Sequence, residues 1–309
     1  MKDKLFKLKR LCSDKKYRTD FFLASKVSRL LPDGIYLKIK FKSIMGKPLN
    51  LNHPVTLNEK IQWLKIHDHN PLYTQLVDKY RAKDYVQSLL GEEYIIKTIG
   101  VYSSFDEIDF DRLPPRFVIK CTHDSGGLII CRDKSKLDIN DAKEKICSSL
   151  RTNYYWSGRE WPYKNVTPKI LVEEYMEDFN NPGDIIDYKF YCFYGKCDLV
   201  LTCFDRKSGH TKYYFFDRNW GLQRLNKMGK EAPEGFTIPK PQNIDKMFEI
   251  AEILSTDCHA PFVRIDLYDI NNHIYFGEYT FYTQGGFDTG RLYETDISLG
   301  NKLNLDDMR

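Results

Sequence analysis

A lysine, a serine and two glycines lie close together in the segment RFVIKCTHDSGGLIICRD, which predicts a strand, a short polar loop and a second strand. Lys120 is at the end of the first strand, and the loop carries Ser125, Gly126 and Gly127. Glycines allow backbone amides to approach an anion, and a lysine adds a positive charge beside it. The segment therefore fits either a phosphate-binding hairpin or a plain hairpin turn.

Three later segments place polar or charged side chains two residues apart, which puts them on one face of a strand. The pairs are Asp187 and Lys189 in DYKF, Arg264 and Asp266 in FVRIDLYD, and Glu278 and Thr280 in YFGEYTFY. Such pairs also occur on the solvated face of many sheets. Each pair alone therefore fits either a solvated sheet surface or a functional site.

The last two pairs lie on the two strands of one predicted hairpin, which turns at Asn271 and Asn272. A three-residue loop would place Asp266 opposite Glu278 on the same face of the sheet, whereas a two-residue loop would place them on opposite faces. We therefore predict an odd-length loop or an equivalent bulge, because only then can the two carboxylates act together.

The elements that position these residues change along the chain. Thr56 followed by Glu59 is a capping box and predicts a helix over residues 56–69, and a second helix is predicted from Asn70 and Pro71 to Gly91. After Gly91, short β-branched and aromatic segments follow one another, interrupted by two predicted helices at about 138–151 and 243–256. A hairpin over residues 190–204 is also predicted. This order indicates an α+β fold with mainly antiparallel sheets.

Length and composition agree with a globular protein. The chain has 309 residues, of which 42% are apolar and 29% charged. No apolar run approaches the roughly 20 residues that span a bilayer, and the basic start lacks the apolar core of a signal peptide. Eight cysteines without C-x-x-C spacing are typical of free thiols in a reducing compartment. We therefore expect a cytoplasmic protein.

Positive charge is concentrated at the beginning of the chain. Residues 1–47 carry 14 Lys and Arg against 4 Asp, a balance of +10, whereas the whole chain has a formal net charge of +4. Apolar residues accompany this charge at roughly helical spacing, which fits either an arm on an anionic membrane surface or a solvated helical extension. The remainder is acidic on balance, so we expect no nucleic-acid partner.

In this order, the segments resemble the ATP-grasp superfamily, in which a nucleotide lies between two α+β subdomains. More narrowly, they are similar to the TupA-like branch, which is associated with teichuronopeptide and capsular polysaccharide synthesis. The similarity runs from about residue 54 to residue 282. It rests on TLNEKIQWLKIHDHNPLY, DKYRAKDYV, KCTHDSGG, GREWPYKN, EEYMED, DYKFYCFYGK and FVRIDLYD.

The resemblance implies ATP as a cofactor and gives the lysines and glycines roles in binding its phosphates. Lys120 would bind the α- and β-phosphates, and the amides of Ser125, Gly126 and Gly127 would close over the β- and γ-phosphates. Lys189 would neutralise the γ-phosphate. These roles agree with the anion-binding interpretation of the hairpin.

The segment EEYMED is implied to bind the nucleoside. Adenine would contact main-chain groups at Glu174, Tyr175 and Met176, and Asp178 or Glu177 would bind the ribose hydroxyls. This assignment predicts that the strand ending in the segment borders the nucleotide.

The resemblance also implies Mg²⁺, held by Asp266 and Glu278, since this hard cation prefers oxygen ligands. Thr280 stands where related sites carry an asparagine, so the number of metal ions, one or two, stays open. The usual proline-glycine turn is replaced by residues 283–286. Arg264 would stabilise an acyl phosphate.

The loop GREWPYKN combines aromatic and cationic side chains that suit an acidic sugar or a carboxylate. The candidate substrate residues are Arg159, Trp161, Tyr163 and Lys164. Aromatic side chains of this kind also serve packing alone. Its sequence leaves both interpretations open.

The implied function is that of an ATP-dependent carboxylate–amine ligase that works through an acyl phosphate. Its partners would be an acidic sugar or polysaccharide precursor and an amino acid or amine. The alternatives are a glycosyltransferase of the same pathway and an ATP-grasp protein that binds without catalysis. The expected domains are a basic arm (1–47), a helical region (48–92), a subdomain with the phosphate loop (93–175) and a subdomain with the metal-binding hairpin (176–309).

Overall fold

The computed structural model describes residues 10–11 and 13–306 and divides into two compact units. The helical unit comprises Met1–His69, Tyr155–Trp161 and Gln284–Arg309, and the sheet unit comprises Asn70–Tyr154 and Pro162–Thr283. Residues 1–9 of the basic arm lie outside the described residues. None of the described helices is long and apolar enough to cross a membrane.

Five of the ten α-helices in the described part of the chain precede the first strand. The helices are α1 (Lys15–Ala24), α2 (Asp33–Met45), α3 (Leu57–His67), α4 (Pro71–Val77), α5 (Arg81–Leu90), α6 (Ile139–Leu150), α7 (Tyr155–Gly158), α8 (Lys227–Glu231), α9 (Ile244–Asp257) and α10 (Tyr293–Asn301). The helical N-terminal region, α6 and α9 confirm the sequence prediction. The helices α7, α8 and α10 were not predicted.

The strands form two sheets in the sheet unit. They are β1 (Thr98–Tyr102), β2 (Phe117–Cys121), β3 (Leu128–Cys131), β4 (Ile170–Glu174), β5 (Asp187–Phe193), β6 (Lys196–Phe204), β7 (Lys212–Asp217), β8 (Leu222–Gln223), β9 (Phe262–Ile270) and β10 (His273–Thr280). The first sheet has the order β1-β4-β2-β3 and the second β10-β9-β5-β6-β7-β8. All pairings are antiparallel, which confirms the predicted α+β class.

The prediction of one continuous helix from Pro71 to Gly91 is wrong, because α4 and α5 are separated at Asp78. The backbone of Asp78 is extended (φ −73°, ψ 111°), and its carboxylate accepts hydrogen bonds from the amides of Tyr80 and Arg81 at 3.0 and 3.2 Å. An aspartate that binds amides two and three residues ahead starts a new helical turn. The two short helices therefore follow from this capping contact.

Both sheets are covered by a helix on one face. Helix α6 packs against the first sheet, where Ile146 joins a core with Phe117, Ile119 and Ile170. Helix α9 packs against β5, β6 and β9, and the rings of Phe190 and Phe248 meet edge to face at 4.9 Å. Apolar side chains on alternate positions of the strands are buried in these layers. The opposite faces remain available for polar side chains.

In the helical unit, a turn is held by buried side chains of α3. Gln284, Gly285 and Gly286 all have left-handed backbones, with φ of 49°, 59° and 68°. Lys65, which is 1% exposed, donates to the Gly285 carbonyl at 2.7 Å, and Gln62 donates to the Gly286 carbonyl at 2.8 Å. Three left-handed residues in succession are unusual, so these bonds stabilise a strained segment.

The hairpin of β9 and β10 has a two-residue loop, Asn271 and Asn272, both with positive φ. A bulge between Phe276 and Glu278 corrects the register, so that Asp266 lies opposite Glu278. The prediction of an odd-length loop or an equivalent bulge is thus confirmed in its second form.

Candidate functional site

A cavity of about 600 Å³ lies in the sheet unit, with walls from both sheets. Lys120 lines it from β2, and Tyr268 and Ile270 line it from β9. The connector at Glu174, Tyr175 and Met176 forms a further part of the wall, as do Val118 and Ile130. A space of this size with apolar walls and a lysine at its border suits a nucleotide.

Four cationic side chains border this cavity, and they were only partly foreseen. They are Lys120, Arg132, Arg206 and Lys207. The wall also carries three acidic side chains, Glu173, Glu174 and Asp184, of which the first two are paired with Lys120 and Lys97. The cavity therefore presents an excess of positive charge, as a polyphosphate requires.

Lys120 is held by a buried carboxylate that it shares with another lysine. Its Nζ lies 2.6 Å from Oε2 of Glu173, whose other oxygen contacts Lys83. Burial raises the pKa of Glu173, but the two ammonium groups outweigh it and the net pKa lies below the ordinary value. Burial lowers the pKa of Lys83, against the effect of Glu173. This arrangement fixes the Lys120 ammonium at the edge of the cavity.

The glycine-rich loop has the predicted hairpin geometry, with Lys120 paired to Leu128. The Gly127 amide donates to both carboxylate oxygens of Asp124 at 3.1 Å. A Cβ on Gly127 would lie 2.5 Å from Cys121 Sγ, so only glycine fits there, whereas Gly126 has open space around it. Ser125 is exposed, and its hydroxyl lies 3.3 Å from the Tyr154 hydroxyl. The Gly127 amide thus orders the loop, and Ser125 and Gly126 form its exposed tip.

The other sheet carries the remaining charged candidates on one face. Lys189 of β5 is paired in the ladder with Asp266 of β9, and Asp266 in turn with Glu278 of β10. Tyr268, two residues from Asp266 on β9, lines the cavity. Because alternate residues of a strand share a face, the charged side chains continue the cavity wall along the sheet.

Lys189 lies between two buried carboxylates. Its Nζ contacts Asp266 and lies 3.2 Å from Asp187 Oδ2. Burial lowers the pKa of Lys189, but the charge of Asp266 outweighs it, so the net pKa is raised. Asp187 is also paired with Arg206, which lines the cavity. Lys189 therefore remains protonated next to the cavity.

Arg264 organises the far end of this face. Its Nε and Nη2 donate to the two oxygens of Asp266 at 2.6 and 2.7 Å, and Nη2 also reaches Glu278 Oε1 at 3.2 Å. Thr280 accepts from Arg264 at 3.0 Å and donates to Glu278 at 3.0 Å. Thr283 accepts from Arg264 Nη1 at 3.3 Å. Two carboxylates, a guanidinium and two hydroxyls thus form one network.

The carboxylates of this network are of the chemical type that a hard divalent cation prefers, although Arg264 already binds both oxygens of Asp266. Asp266 and Glu278 lie on neighbouring strands, and Glu278 keeps 41% of its side chain exposed. Burial raises the pKa of Glu278, but Lys79 and Arg264 outweigh it, so the carboxylate is ionised. No group of three or more His, Cys, Asp or Glu residues in the described part of the chain is arranged to hold a metal ion. A Mg²⁺ here would need Asp266, Glu278 and further oxygens from Thr280, phosphate or water.

The connector residues differ in their surroundings. Glu174 is paired with Lys97 at 3.3 Å, and Tyr175 lies beneath Arg116 at 5.0 Å. Glu177 is paired with the same Arg116 at 2.6 Å. Asp178 is partly buried and accepts a hydrogen bond from the Asn180 amide at 3.0 Å. Glu174, Tyr175 and Met176 thus border the cavity, whereas Glu177 and Asp178 do not line it.

The candidate substrate residues divide between the two units. Arg159 is 1% exposed in the helical unit, where it donates to the Ser28 carbonyl at 2.8 Å and stacks on Tyr36. Trp161 stacks on His69 in the same unit at 4.8 Å. The sheet unit contains Tyr163 and Lys164. The guanidinium of Arg159 is thus enclosed by its own unit and presents little surface to a substrate.

Sequence reasoning assigned no role to Lys83, Glu173, Arg132, Arg206 or Lys207. Lys83 lies in the quoted segment DKYRAKDYV, but its contact with Glu173 joins a helix to a strand and has no local sequence pattern. No local sequence pattern marks the cationic residues Arg132, Arg206 and Lys207 either, because separate segments of the chain bring them to the cavity.

A nucleotide-sized cavity between two antiparallel sheets, bordered by a lysine from one sheet and a charged network on the other, is typical of the ATP-grasp class. A family model described as TupA-like ATP-grasp matches residues 59–304. The chain therefore belongs to the TupA-like ATP-grasp family. No curated protein matches the sequence.

Several solved structures are similar to this chain, at low sequence identity and with TM-scores below 0.5. A D-alanine–D-alanine ligase from Bacillus anthracis complexed with ATP is 15% identical, with a TM-score of 0.41 over 76% of this chain and 63% of that one. The Helicobacter pylori enzyme of that name is 13% identical, with a TM-score of 0.43 over 74% and 61%. An N5-carboxyaminoimidazole ribonucleotide synthetase in complex with ADP is 11% identical, with a TM-score of 0.39 over 78% and 56%. This chain thus spans less than two thirds of each of these proteins.

Proposed function

We propose that the protein is an ATP-dependent carboxylate–amine ligase that acts on a uronic acid of a surface polysaccharide or its precursor. The observation that carries the proposal is the cavity between the sheets. Lys120 borders it from one side, and the charged network of Lys189, Arg264, Asp266 and Glu278 continues its opposite wall. Membership of the TupA-like ATP-grasp family supports the same conclusion.

In this proposal the triphosphate extends from Lys120 toward the network. Lys120 binds the α- and β-phosphates, and the loop tip at Ser125 and Gly126 covers the β- and γ-phosphates. Lys189 and Arg264 neutralise charge on the transferred phosphoryl group, which is the main demand that phosphoryl transfer makes on a protein. Bound Mg²⁺ would supply further charge neutralisation.

The reaction has two balanced steps. A substrate carboxylate oxygen attacks the γ-phosphorus of ATP, the bond to the β-phosphate oxygen breaks, and ADP and an acyl phosphate result. An amine then attacks the acyl carbon and gives up a proton, and phosphate leaves as the amide forms. In this proposal Arg264, which binds both acidic side chains of the network, stabilises the acyl phosphate.

The proposal is tested by incubating the protein with ATP, Mg²⁺, candidate uronic acids and candidate amines. We expect sustained release of ADP and phosphate only when both substrates are present. Release of UDP from a sugar donor without consumption of ATP would instead identify a glycosyltransferase. Lys120→Ala should weaken nucleotide binding, and Lys246→Ala, on the exposed side of α9, is the matched control.

A protein that binds the nucleotide without turnover is the second candidate. It is favoured by one observation: both oxygens of Asp266 already accept hydrogen bonds from Arg264, and Lys189 contacts one of them. Turnover of ATP by the wild type in the assay above separates the two candidates, and Glu278→Gln then tests the metal role of the network. If the protein is a ligase, this variant should keep its nucleotide affinity and lose turnover. Unchanged turnover in Glu278→Gln would rule out the metal role of Glu278.

A further inference from the structure

Exposed apolar side chains are concentrated in a short part of the helical unit. Phe21, Phe22, Val27, Leu30 and Ile35 are 56%, 37%, 62%, 85% and 49% exposed. They are five of the fifteen large apolar side chains that are exposed among the described residues. Single exposed apolar residues need no explanation, whereas contiguous exposed apolar patches often belong to interaction sites.

On α1, these side chains share a face with basic residues. Lys15 is followed at three, six and seven positions by Arg18, Phe21 and Phe22, and all four side chains are exposed. Leu23, on the other side of the helix, is buried. Residues at this spacing lie on one side of a helix, so α1 has a basic and aromatic outer face.

The same combination continues through the 3₁₀ turn Lys26–Leu30. Val27 and Leu30 are three residues apart and therefore point the same way, since such a turn has three residues per revolution. Ser28 points inward and is buried, while Lys26 and Arg29 are exposed.

Helix α2 repeats the arrangement, and it packs on α1. Its exposed side carries Ile35 and, three and seven positions later, Lys38 and Lys42. The opposite side is buried, with Phe41 in the core of the unit. We call the exposed residues of α1, the 3₁₀ turn and α2 the arm face.

The acidic residues of this part are too few to balance the charge of the arm face, because residues 10–47 contain ten Lys and Arg but only three Asp. The exposed basic residues therefore leave a positive surface around the apolar side chains. The acids and their partners are Asp14 with the Tyr17 amide at 2.9 Å, Asp20 with the Ser43 hydroxyl at 2.8 Å, and Asp33 with Tyr155 at 2.6 Å and Arg159 at 3.3 Å.

From this combination we propose that the arm face binds the surface of an anionic lipid bilayer. Its apolar side chains enter the boundary between headgroups and acyl chains, and its lysines and arginines contact the negative headgroups. Residues 1–9 have the same composition in sequence, with four lysines and Leu5, Phe6 and Leu8. The charge complementarity argues for lipid, because a second copy would bring like charges together.

Nucleic acid fits the arm face less well than lipid. A phosphate backbone is recognised mainly through cationic side chains and hydrogen bonds, so the exposed Leu30, Val27 and Phe21 would gain little from it. A bilayer accommodates both kinds of side chain. Binding to lipid should therefore depend on the apolar residues and on the basic residues alike.

The experiment uses the full chain and vesicle sedimentation. Vesicles are made of phosphatidylcholine alone or with phosphatidylglycerol, and bound protein is measured at low and high salt. We expect binding only with phosphatidylglycerol and at low salt, since salt screens surface charges. Val27→Ser/Leu30→Ser and Lys15→Glu/Lys26→Glu/Lys38→Glu should each weaken binding about fivefold or more.

Matched controls lie in the sheet unit. Leu89→Ser/Ile253→Ser replaces apolar residues that are 38% and 44% exposed, and Lys227→Glu/Lys230→Glu replaces exposed basic ones. Both controls should bind like the wild type, with unchanged circular dichroism in all variants.

Three results would overturn the proposal. The first is equal binding by the arm-face variants and the controls. The second is self-association in light scattering that the Val27→Ser/Leu30→Ser variant abolishes, without any vesicle binding. The third is retention on an oligonucleotide but not on vesicles. None of these results bears on the ATP-dependent ligase activity, which is tested separately.

Discussion

Replacing Glu173 by glutamine tests how Lys120 is held at the cavity. Glu173 is 3% exposed and bridges Lys120 and Lys83. Lys83 is also buried, at 6% exposure, and donates to the Ile96 carbonyl at 2.6 Å. Glutamine keeps the shape of the side chain but removes its negative charge, so that two ammonium groups would face each other without compensation.

The expected cost follows from these burials. Removing one partner of a fully buried ion pair costs about 3–5 kcal/mol, because an uncompensated charge remains in a low-dielectric environment. The side chain of Lys120 is 25% exposed, and its ammonium can turn toward water. We therefore expect Glu173→Gln to lower the free energy of unfolding by about 3 kcal/mol.

Urea unfolding followed by circular dichroism measures this free energy. The double variant Glu173→Leu/Lys83→Met replaces the buried pair by apolar residues of similar size but leaves the Ile96 carbonyl without its donor, so it should be about 1–2 kcal/mol less stable than the wild type. Glu174→Gln is the matched control: its partner Lys97 is 74% exposed, so its loss should cost less than about 1 kcal/mol. The reasoning is refuted if Glu173→Gln is no less stable than Glu174→Gln, or if the double variant is less stable than Glu173→Gln.

Three further predictions concern the same fold. The lysines hold the pKa of Glu173 below its ordinary value, so its carboxylate contributes to stability above the ordinary glutamate pKa of about 4.3 and loses this contribution as the pH falls through the lowered pKa. The difference in unfolding free energy between wild type and Glu173→Gln should therefore shrink in acid. A difference that does not change with pH would contradict the assignment. Gly277→Ala would place a Cβ 2.9 Å from the Asp266 carbonyl oxygen and should lower the unfolding free energy in urea by about 1–3 kcal/mol. In the control Gly290→Ala, the nearest atom to the added Cβ is Asp288 Oδ1 at 3.4 Å, and the stability should hardly change. Lys65→Met removes the donor of the Gly158 carbonyl, now bound at 2.8 Å, and leaves the Gly285 carbonyl with Gln62 as its remaining donor at 3.0 Å. It should lower the unfolding free energy by about 1–3 kcal/mol. A variant as stable as the wild type would show that the bonds of Lys65 do not stabilise the turn.

Much of the sheet unit could be predicted because the relevant rules are local. Alternation along a strand places Arg264 and Asp266 on one face, and the same rule applies to Glu278 and Thr280. The need to bring the two pairs together predicted an odd loop or a bulge. The bulge at Gly277 satisfies this need.

What could not be predicted depends on contacts between distant residues. Asp78 ends α4 by binding two amides, although the hydrophobic spacing around it continues without interruption. Arg159 contacts the rings of Tyr36 and Trp156 and donates to the Ser28 carbonyl, and the two partners that are far away in sequence, Tyr36 and Ser28, could not be inferred from the residues around Arg159. The bridge of Glu173 between two lysines is of the same kind.

The hairpin of β9 and β10 has a further consequence for how this protein can vary. The number of residues in its loop and the extra residue of its bulge together decide whether position 278 lies on the same face of the sheet as Asp266. A homologue that gains one residue at the tip can dispense with the bulge, and one that loses the bulge must lengthen the tip. Insertions or deletions between the two acidic positions should therefore involve even numbers of residues. Deleting a single residue there should abolish any function that needs both carboxylates on one face, without unfolding the protein.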